Sequence, residues 1–379
     1  MKIIRILQVF TTMGRGGAES MIMNYYRHID REKIQFDFLV HRKERAAFDD
    51  EIESLGGTIY RLSPINPIAP DSYYKELKSF FIKHPNYKVV HSHLNTFSCF
   101  PLKIAREFNI PCRIAHAHIA MDPMRFSTIL FNSKNWVEAV KKQIKLQLKK
   151  RIHTDATHYF ACGEKAGKWL FGSNTTFTIM NNAIDSNKFA FDPIISNNYK
   201  KRHSVNNEIV LGHIGRFTHQ KNHSFLLRLF SQLLKENSNY RLLLIGDGPL
   251  QNKIKEEATH LNIMNKVIFM GLRTDIPELL QMIDIFVFPS FYEGLPVTLI
   301  EAQAAGVKVL ASDTITTEVS LTNDIQFLTI NESEELWANC ILSLGEIKKK
   351  NNTALIKKGK YDIKANADKI QKFYFLHIK

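Results

Sequence analysis

Short apolar runs alternate with longer amphipathic stretches along most of the 379-residue chain. Ile3–Phe10 is apolar except for Arg5 and Gln8 and predicts a first strand. TTMGRGGAES follows as a glycine loop that opens a helix running to about Tyr26. The run IQFDFLV predicts the next strand, and Tyr87–Ser92 and Arg113–His118 predict two more, with helices near 72–83 and 100–108 between them. Around Asp185–Asn207 the pattern lapses into Asn, Ser and Lys, which makes this stretch the best domain boundary. The alternation then resumes with strands at Ile209–Ile214, Tyr240–Ile245, Val267–Met270, Ile285–Phe288 and Val307–Ala311. Helices are expected at Ser224–Lys235, 250–260 and 275–282. Another starts with Pro296 at its first position and stops at Gly306, and a last one begins near Tyr361. Strands that alternate with helices build a parallel, doubly wound sheet. The expected fold class is therefore α/β with two Rossmann-like halves, 1–187 and 188–360.

Composition narrows the function. The length suits two domains, and 44% hydrophobic residues suffice for globular cores. Cys99, Cys112, Cys162 and Cys340 are scattered without a C-x-x-C pair, so neither zinc nor a disulfide framework is suggested and a reduced, cytoplasmic setting is expected. The first apolar run is broken by Arg5 and Gln8, unlike a signal peptide. The formal charge of +14, from 51 basic against 37 acidic side chains, calls for anionic partners. Nucleic acid is one such partner, but no aromatic platform or nucleic-acid motif accompanies the charge. Lys134–His153 concentrates lysines around Trp136, Val140, Ile144 and Leu148, which recur every fourth position. This basic amphipathic helix has two open readings: a core-packed helix with a solvated lysine face, or one that lays lysines on an anionic membrane.

Chemistry concentrates in two stretches of the second half. In FVFPSFYEGLPVTLIEAQAAG, Glu293 falls in a loop and Glu301 inside the helix that follows. The N–H groups near Gly294 and Leu295, with the dipole of the helix that Pro296 opens, favour phosphate, whereas the two carboxylates suit hydroxyls. Phosphate between two hydroxyl acceptors fits a nucleotide sugar. GHIGRFTHQKNHSFLL carries Arg216 and Lys221 after a glycine turn, a planar fork and a point charge able to neutralise a diphosphate. In the first half, Gly14, Gly16 and Gly17 form the glycine loop but do not match G-x-G-x-x-G, and Asp37 lies within a strand, so a dinucleotide dehydrogenase fits poorly. His91 and His93, and His116 and His118, sit at strand ends, where at least one of each pair is expected at the ligand crevice. As metal ligands they lack a carboxylate nearby in sequence.

The Glu-x7-Glu element with the following VKVLAS, and the G-R-x4-K-N element, resemble the donor-site signature of the retaining glycosyltransferases of family 4, which have the GT-B fold. The segments YFACGEKAGKWLFG and MNNAID resemble the end of the first domain in polysaccharide-assembly members, with Asn182-Ala183-Ile184-Asp185 where many relatives have Asn-Gly-Ile-Asp. The resemblance implies two Rossmann-like domains facing a cleft, with a C-terminal helix, 361–379, crossing back to the first. It implies that Glu293 contacts the transferred sugar, Glu301 the ribose, and Arg216 and Lys221 the diphosphate, with no metal or other cofactor. The base is expected near Gly271 and Leu272, and Gly16 and Gly17 near the donor phosphate and the acceptor. His116 is expected at the donor hexose, His118 as a second cleft group, His93 as a weaker candidate and His91 in a packing role. The implied activity is transfer of a sugar with retention from a nucleotide diphosphate donor, a UDP-sugar, by front-face attack. The acceptor is lipid-linked or a saccharide in bacterial surface polysaccharide synthesis. A nucleotide-sugar epimerase of the same fold and, on charge alone, a non-catalytic nucleic-acid binder are the alternatives.

Overall fold

The computed structural model describes residues 3–119 and 133–378. The chain forms two compact units, Met1–Ala183 with Ile363–Lys379, and Ile184–Asp362.

The first unit holds a seven-stranded sheet in the order β3-β2-β1-β4-β5-β6-β7. Its strands are β1 (Ile4–Phe10), β2 (Ile34–Val40), β3 (Ile59–Arg61), β4 (Val89–Ser92), β5 (Cys112–Ala117), β6 (His158–Ala161) and β7 (Thr178–Ile179). Every pairing is parallel. Because side chains alternate across a strand, Leu7, Val9 and Val90 enter one buried cluster, while Ile6, Phe10, Phe36 and Phe38 enter another on the opposite face. Each fully buried side chain of this size contributes about 1.5–3 kcal/mol. The helix Ile363–Leu376 belongs to the second cluster through Ile363, Ala367, Ile370 and Tyr374.

Asp37, in the middle of β2, is fully buried. It accepts from the Arg5 Nε at 2.6 Å, the Tyr87 hydroxyl at 2.6 Å and the Thr58 N–H at 2.8 Å. A carboxylate so engaged inside a strand has no capacity left for a ribose.

The second unit holds a six-stranded parallel sheet in the order β10-β9-β8-β11-β12-β13. The strands are β8 (Ile209–Ile214), β9 (Tyr240–Ile245), β10 (Val267–Gly271), β11 (Ile285–Phe288), β12 (Lys308–Ser312) and β13 (Ile325–Leu328). In both units the order reverses beside the first strand, between β1 and β4 and between β8 and β11. A doubly wound sheet leaves a crevice at the carboxyl ends of these strands.

Two local expectations need correction. The stretch 185–207 contains a helix, Pro193–Arg202, which starts because Asp192 accepts from the N–H groups of Ile194 and Ile195 and Pro193 supplies a pre-set φ. Pro296 is the N-cap residue in extended conformation, one position before the helix Val297–Ala304. That helix stops as expected. Gly306 sits at φ +69°, with Gly306 N–H bonded to Gln303 O and Val307 N–H to Ala302 O.

The basic helix runs Ser133–Asp155. Leu148 and Ile152 are buried against the first cluster and Ile144 packs on it, so its second half is a core helix. The side chains of Trp136, Val140, Lys141, Lys142 and Lys145 lie outside the described residues. Among the described residues no helix is long and apolar enough to cross a membrane.

Candidate functional site

At the switch point of the second sheet, two loops 72 residues apart are stitched together. After β8 the chain turns through Gly215 and Arg216 into the single turn His219–Lys221, and Asn222 caps the next helix in left-handed conformation at φ +53°. After β11 it runs through Phe291–Pro296. Phe291 N–H donates to Gln220 O at 2.9 Å, and Gln220 Nε2 donates to Tyr292 O at 2.8 Å. The rings of His219 and Phe291 stack at 4.9 Å. Lys221 Nζ donates to Glu293 Oε1 at 2.6 Å, with the two side chains only 16% and 12% exposed. The same ammonium lies 4.6 Å from the Phe288 ring centroid, so one cation is held by a carboxylate and an aromatic face together.

The turn that presents Arg216 depends on close backbone packing. Gly246 has φ +136°, and a Cβ there would stand 2.2 Å from Gly215 O. Beneath the turn, buried His213 uses Nδ1 as donor to Val287 O at 2.8 Å, which leaves its Nε2 bare. Arg216 itself is exposed and has no ion pair among the described residues. It is the cation of this loop that remains available to an incoming anion.

Glu301 lies one turn inside its helix. Burial pushes its carboxyl up to about 7 even though part of its surface still meets solvent. Gly294 is exposed, and Leu295 and Pro296 are buried beneath the loop. At the end of β10, Gly271 adopts φ +65° beside open space, and Leu272 is 64% exposed, an apolar surface at a strand end. The second-unit residues expected on the donor side thus stand at the carboxyl ends of one sheet. The direct pairing of Lys221 with Glu293 was not expected.

In the first unit, Gly16 caps the helix Gly17–His28 without a side-chain bond, and both glycines are exposed. The four histidines do not divide as expected. Gln8, His91, His93, His116 and His118 all fall on the sheet face covered by Tyr374, because they share the period of Ile6, Val89 and Ile114. His91 and His116 have no exposed surface, and His93 has 5%. His116 is therefore corrected: it sits behind the strand end, its Nδ1 on His91 Nε2 at 3.0 Å and its Nε2 buried without a partner. The partly exposed imidazole is His118, one residue past β5. Its N–H is fixed by Asn95 Oδ1 at 2.8 Å and its Nε2 lies 2.8 Å from His93 Nδ1. Burial lowers His91, His93 and His116 well below the usual imidazole value and pushes His118 down to about 3, so all four are neutral. Nitrogens of His91, His93 and His116 lie within 4.8 Å of one another, but hydrogen bonds to neighbouring side chains occupy most of them. Gln8 and Tyr374 belong to this cluster and were not singled out by sequence. Gln8 left a signal, a polar residue in an apolar strand; Tyr374 left none.

Two doubly wound parallel sheets, one with a basic turn and two carboxyl groups at its switch point, fit a two-domain enzyme that handles a nucleotide sugar. Residues 195–373 match the family described as Glycosyl transferases group 1. EpsF of Bacillus subtilis, named as a glycosyltransferase, is 35% identical over 343 residues, covering 89% of this chain and 86% of EpsF. The chain belongs to this glycosyltransferase family. CapH of Staphylococcus aureus, named as a capsular polysaccharide biosynthesis glycosyltransferase, is 27% identical over 98% of both chains. A galactosyltransferase of Escherichia coli, named for UDP-Gal and α-D-GlcNAc-diphosphoundecaprenol, is 25% identical over 74% of this chain and 72% of its own. Among solved structures, HepE of Anabaena in complex with UDP has TM-score 0.75 at 19% identity, covering 98% of this chain and 99% of HepE.

Proposed function

We propose that this chain transfers a sugar from a UDP-sugar to a lipid-linked saccharide during assembly of a bacterial surface polysaccharide, with retention at the anomeric carbon and without a metal ion. The observation that carries this reading is the Lys221–Glu293 pair with Arg216 and Glu301 around it at one switch point. In this reading Arg216 and Lys221 take the diphosphate with the 294–296 loop, Glu301 takes the ribose hydroxyls, and Gly271 and Leu272 border the base. Glu293 exchanges its lysine for a hydroxyl of the transferred sugar. In the first unit His118, rather than His116, meets a hydroxyl of the saccharide, and the Gly16–Gly17 loop offers N–H groups to an anion.

The chemistry is front-face displacement. The bond from the anomeric carbon to the diphosphate oxygen breaks, the acceptor oxygen bonds to that carbon on the same face, and the acceptor proton passes to the departing phosphate oxygen. The protein stabilises the charge that grows on the diphosphate, which two fixed cations accomplish without a metal. The names of the capsular and diphosphoundecaprenol relatives support the acceptor class, and the UDP complex of HepE supports the donor class.

The test is incubation with UDP-glucose, UDP-galactose or UDP-N-acetylglucosamine, with and without GlcNAc-diphosphoundecaprenol, measuring UDP release and the configuration of the product. Acceptor-dependent release with an α-linked product is expected. Interconversion of the donor sugar without acceptor would instead identify an epimerase.

A further inference from the structure

The buried polar groups behind β1, β4 and β5 form one continuous chain, and its donors and acceptors can be assigned from end to end. Gln8 Oε1 only accepts, so His93 Nε2, 2.9 Å away, carries a proton. A neutral imidazole holds one proton, so His93 Nδ1 is bare and accepts from His118 Nε2 at 2.8 Å. His118 in turn keeps its proton on Nε2 and leaves Nδ1 as an acceptor, with no partner among the described residues. The other arm starts at Gln8 Nε2, which donates to the Tyr374 hydroxyl at 3.3 Å. That hydroxyl donates to His91 Nδ1 at 2.8 Å, and His91 Nε2 donates to His116 Nδ1 at 3.0 Å. Ring packing holds the imidazoles in place: Phe10 stacks on His93 at 4.2 Å, and His116 on His118 at 4.1 Å.

We propose that Gln8 and His93 are positioning residues that fix the proton of His118 on Nε2, so that His118 presents a bare Nδ1 to a hydroxyl of the saccharide substrate. The geometry makes one amide decide the outcome. Turning the Gln8 side chain over would put a donor against His93 Nε2 and move the proton on every ring of both arms, leaving His118 Nδ1 a donor. In the observed orientation each imidazole carries its proton on Nε2, the tautomer a neutral imidazole prefers in water, and the one cost is a His116 Nε2–H buried without a partner among the described residues. A sugar hydroxyl that donates to Nδ1 keeps its own oxygen lone pairs for other contacts, and the ring cannot turn without breaking the bond to His93. The proposal rests on the reading that His118 faces the saccharide.

The test uses the full chain with selectively labelled histidine. In the wild type, long-range ¹H–¹⁵N spectra should show His118, assigned by its loss in His118→Ala, as a single tautomer protonated at Nε2. Gln8→Leu removes the acceptor and should give an averaged His118 tautomer. With UDP-galactose or UDP-glucose as donor and GlcNAc-diphosphoundecaprenol as acceptor, it should also lower kcat roughly three- to tenfold at little-changed donor KM. Gln8→Glu keeps the oxygen acceptor for His93, while turning the donor to Tyr374 into an acceptor, and should restore the single His118 tautomer and most of the rate. A His118 protonated on Nδ1 in the wild type overturns the proposal, and so does an unchanged kcat in Gln8→Leu when His118→Ala abolishes transfer. Transfer that survives His118→Ala overturns the site reading beneath it, while the spectra still decide the hydrogen-bond chain. The wild-type tautomer is read without either Gln8 variant having to fold.

Discussion

Lys221 and Glu293, which sit on different loops after β8 and β11, neutralise each other at 2.6 Å. The switch point therefore presents a closed ion pair, with Arg216 as its exposed cation. On the proposed reading, an incoming diphosphate would draw Lys221 away and release Glu293 toward a sugar hydroxyl, so that one exchange would prepare both ends of the substrate.

Removing one partner leaves the other charge poorly compensated in a largely buried place. Lys221→Met or Glu293→Gln should each cost about 1–2 kcal/mol in urea unfolding, and the double substitution should cost less than the sum. Additive losses would mean the pair contributes nothing as a unit. Kinetically, Glu293→Gln should lower kcat, because the sugar it holds gains positive charge in the transition state.

Glu301 should make stability and donor affinity run in opposite directions with pH. Its carboxyl is raised from 4.5 to about 7 by burial. Between about pH 5 and 7 the folded protein therefore keeps a proton that the unfolded chain has lost, and stability falls as pH rises through this window, by up to about 3 kcal/mol. Glu301→Gln should flatten that decline. Donor KM should fall as pH rises past 7 in the wild type, where the ionised carboxylate accepts two ribose hydroxyls, and should be higher and pH-insensitive in the variant. Parallel stability curves for the two proteins from pH 5 to 8 would sink this assignment.

On the proposed reading, in which Arg216 and Lys221 take the place of a metal at the diphosphate, transfer should survive chelation. EDTA-sensitive turnover restored by magnesium or manganese would contradict that. Arg216→Ala should reduce kcat more than it raises donor KM, because the charge it meets grows as the bond to the diphosphate breaks. An equal loss in both constants would mark it as a ground-state binder only.

Lys141, Lys142 and Lys145 are expected to hold an anionic membrane surface, each contributing about 1 kcal/mol. Lys149 is left out of this set because its ammonium sits 5.5 Å from the Trp169 ring and belongs to the packed half of the helix. Converting the other three to Gln should release the protein from phosphatidylglycerol vesicles in sedimentation. Unchanged sedimentation would leave the helix a purely structural element.

The sequence by itself determined the fold class and the two loops after β8 and β11 where the candidate site lies. The near-continuous apolar runs at Ile209–Ile214 and Tyr240–Ile245 coincide with β8 and β9 because a strand buried on both faces has no polar surface to blur its ends. Arg216, Lys221, Glu293 and Glu301 were legible for a related reason: a parallel sheet delivers the loops after its strands to one edge, so short motifs there mark a site before any distance is known. The tertiary structure decided what the linear pattern leaves open. The Lys221–Glu293 pair requires the lateral order of β8 and β11, which no residue spacing encodes. Between His116 and His118, only the exact end of β5 and the cover from Tyr374, 258 residues beyond His116 in the chain, determine which ring keeps a face to solvent. Proton placement along Gln8, His93 and His118 is likewise a property of side chains from three separate segments. It exists only once the sheet has brought them within hydrogen-bond distance.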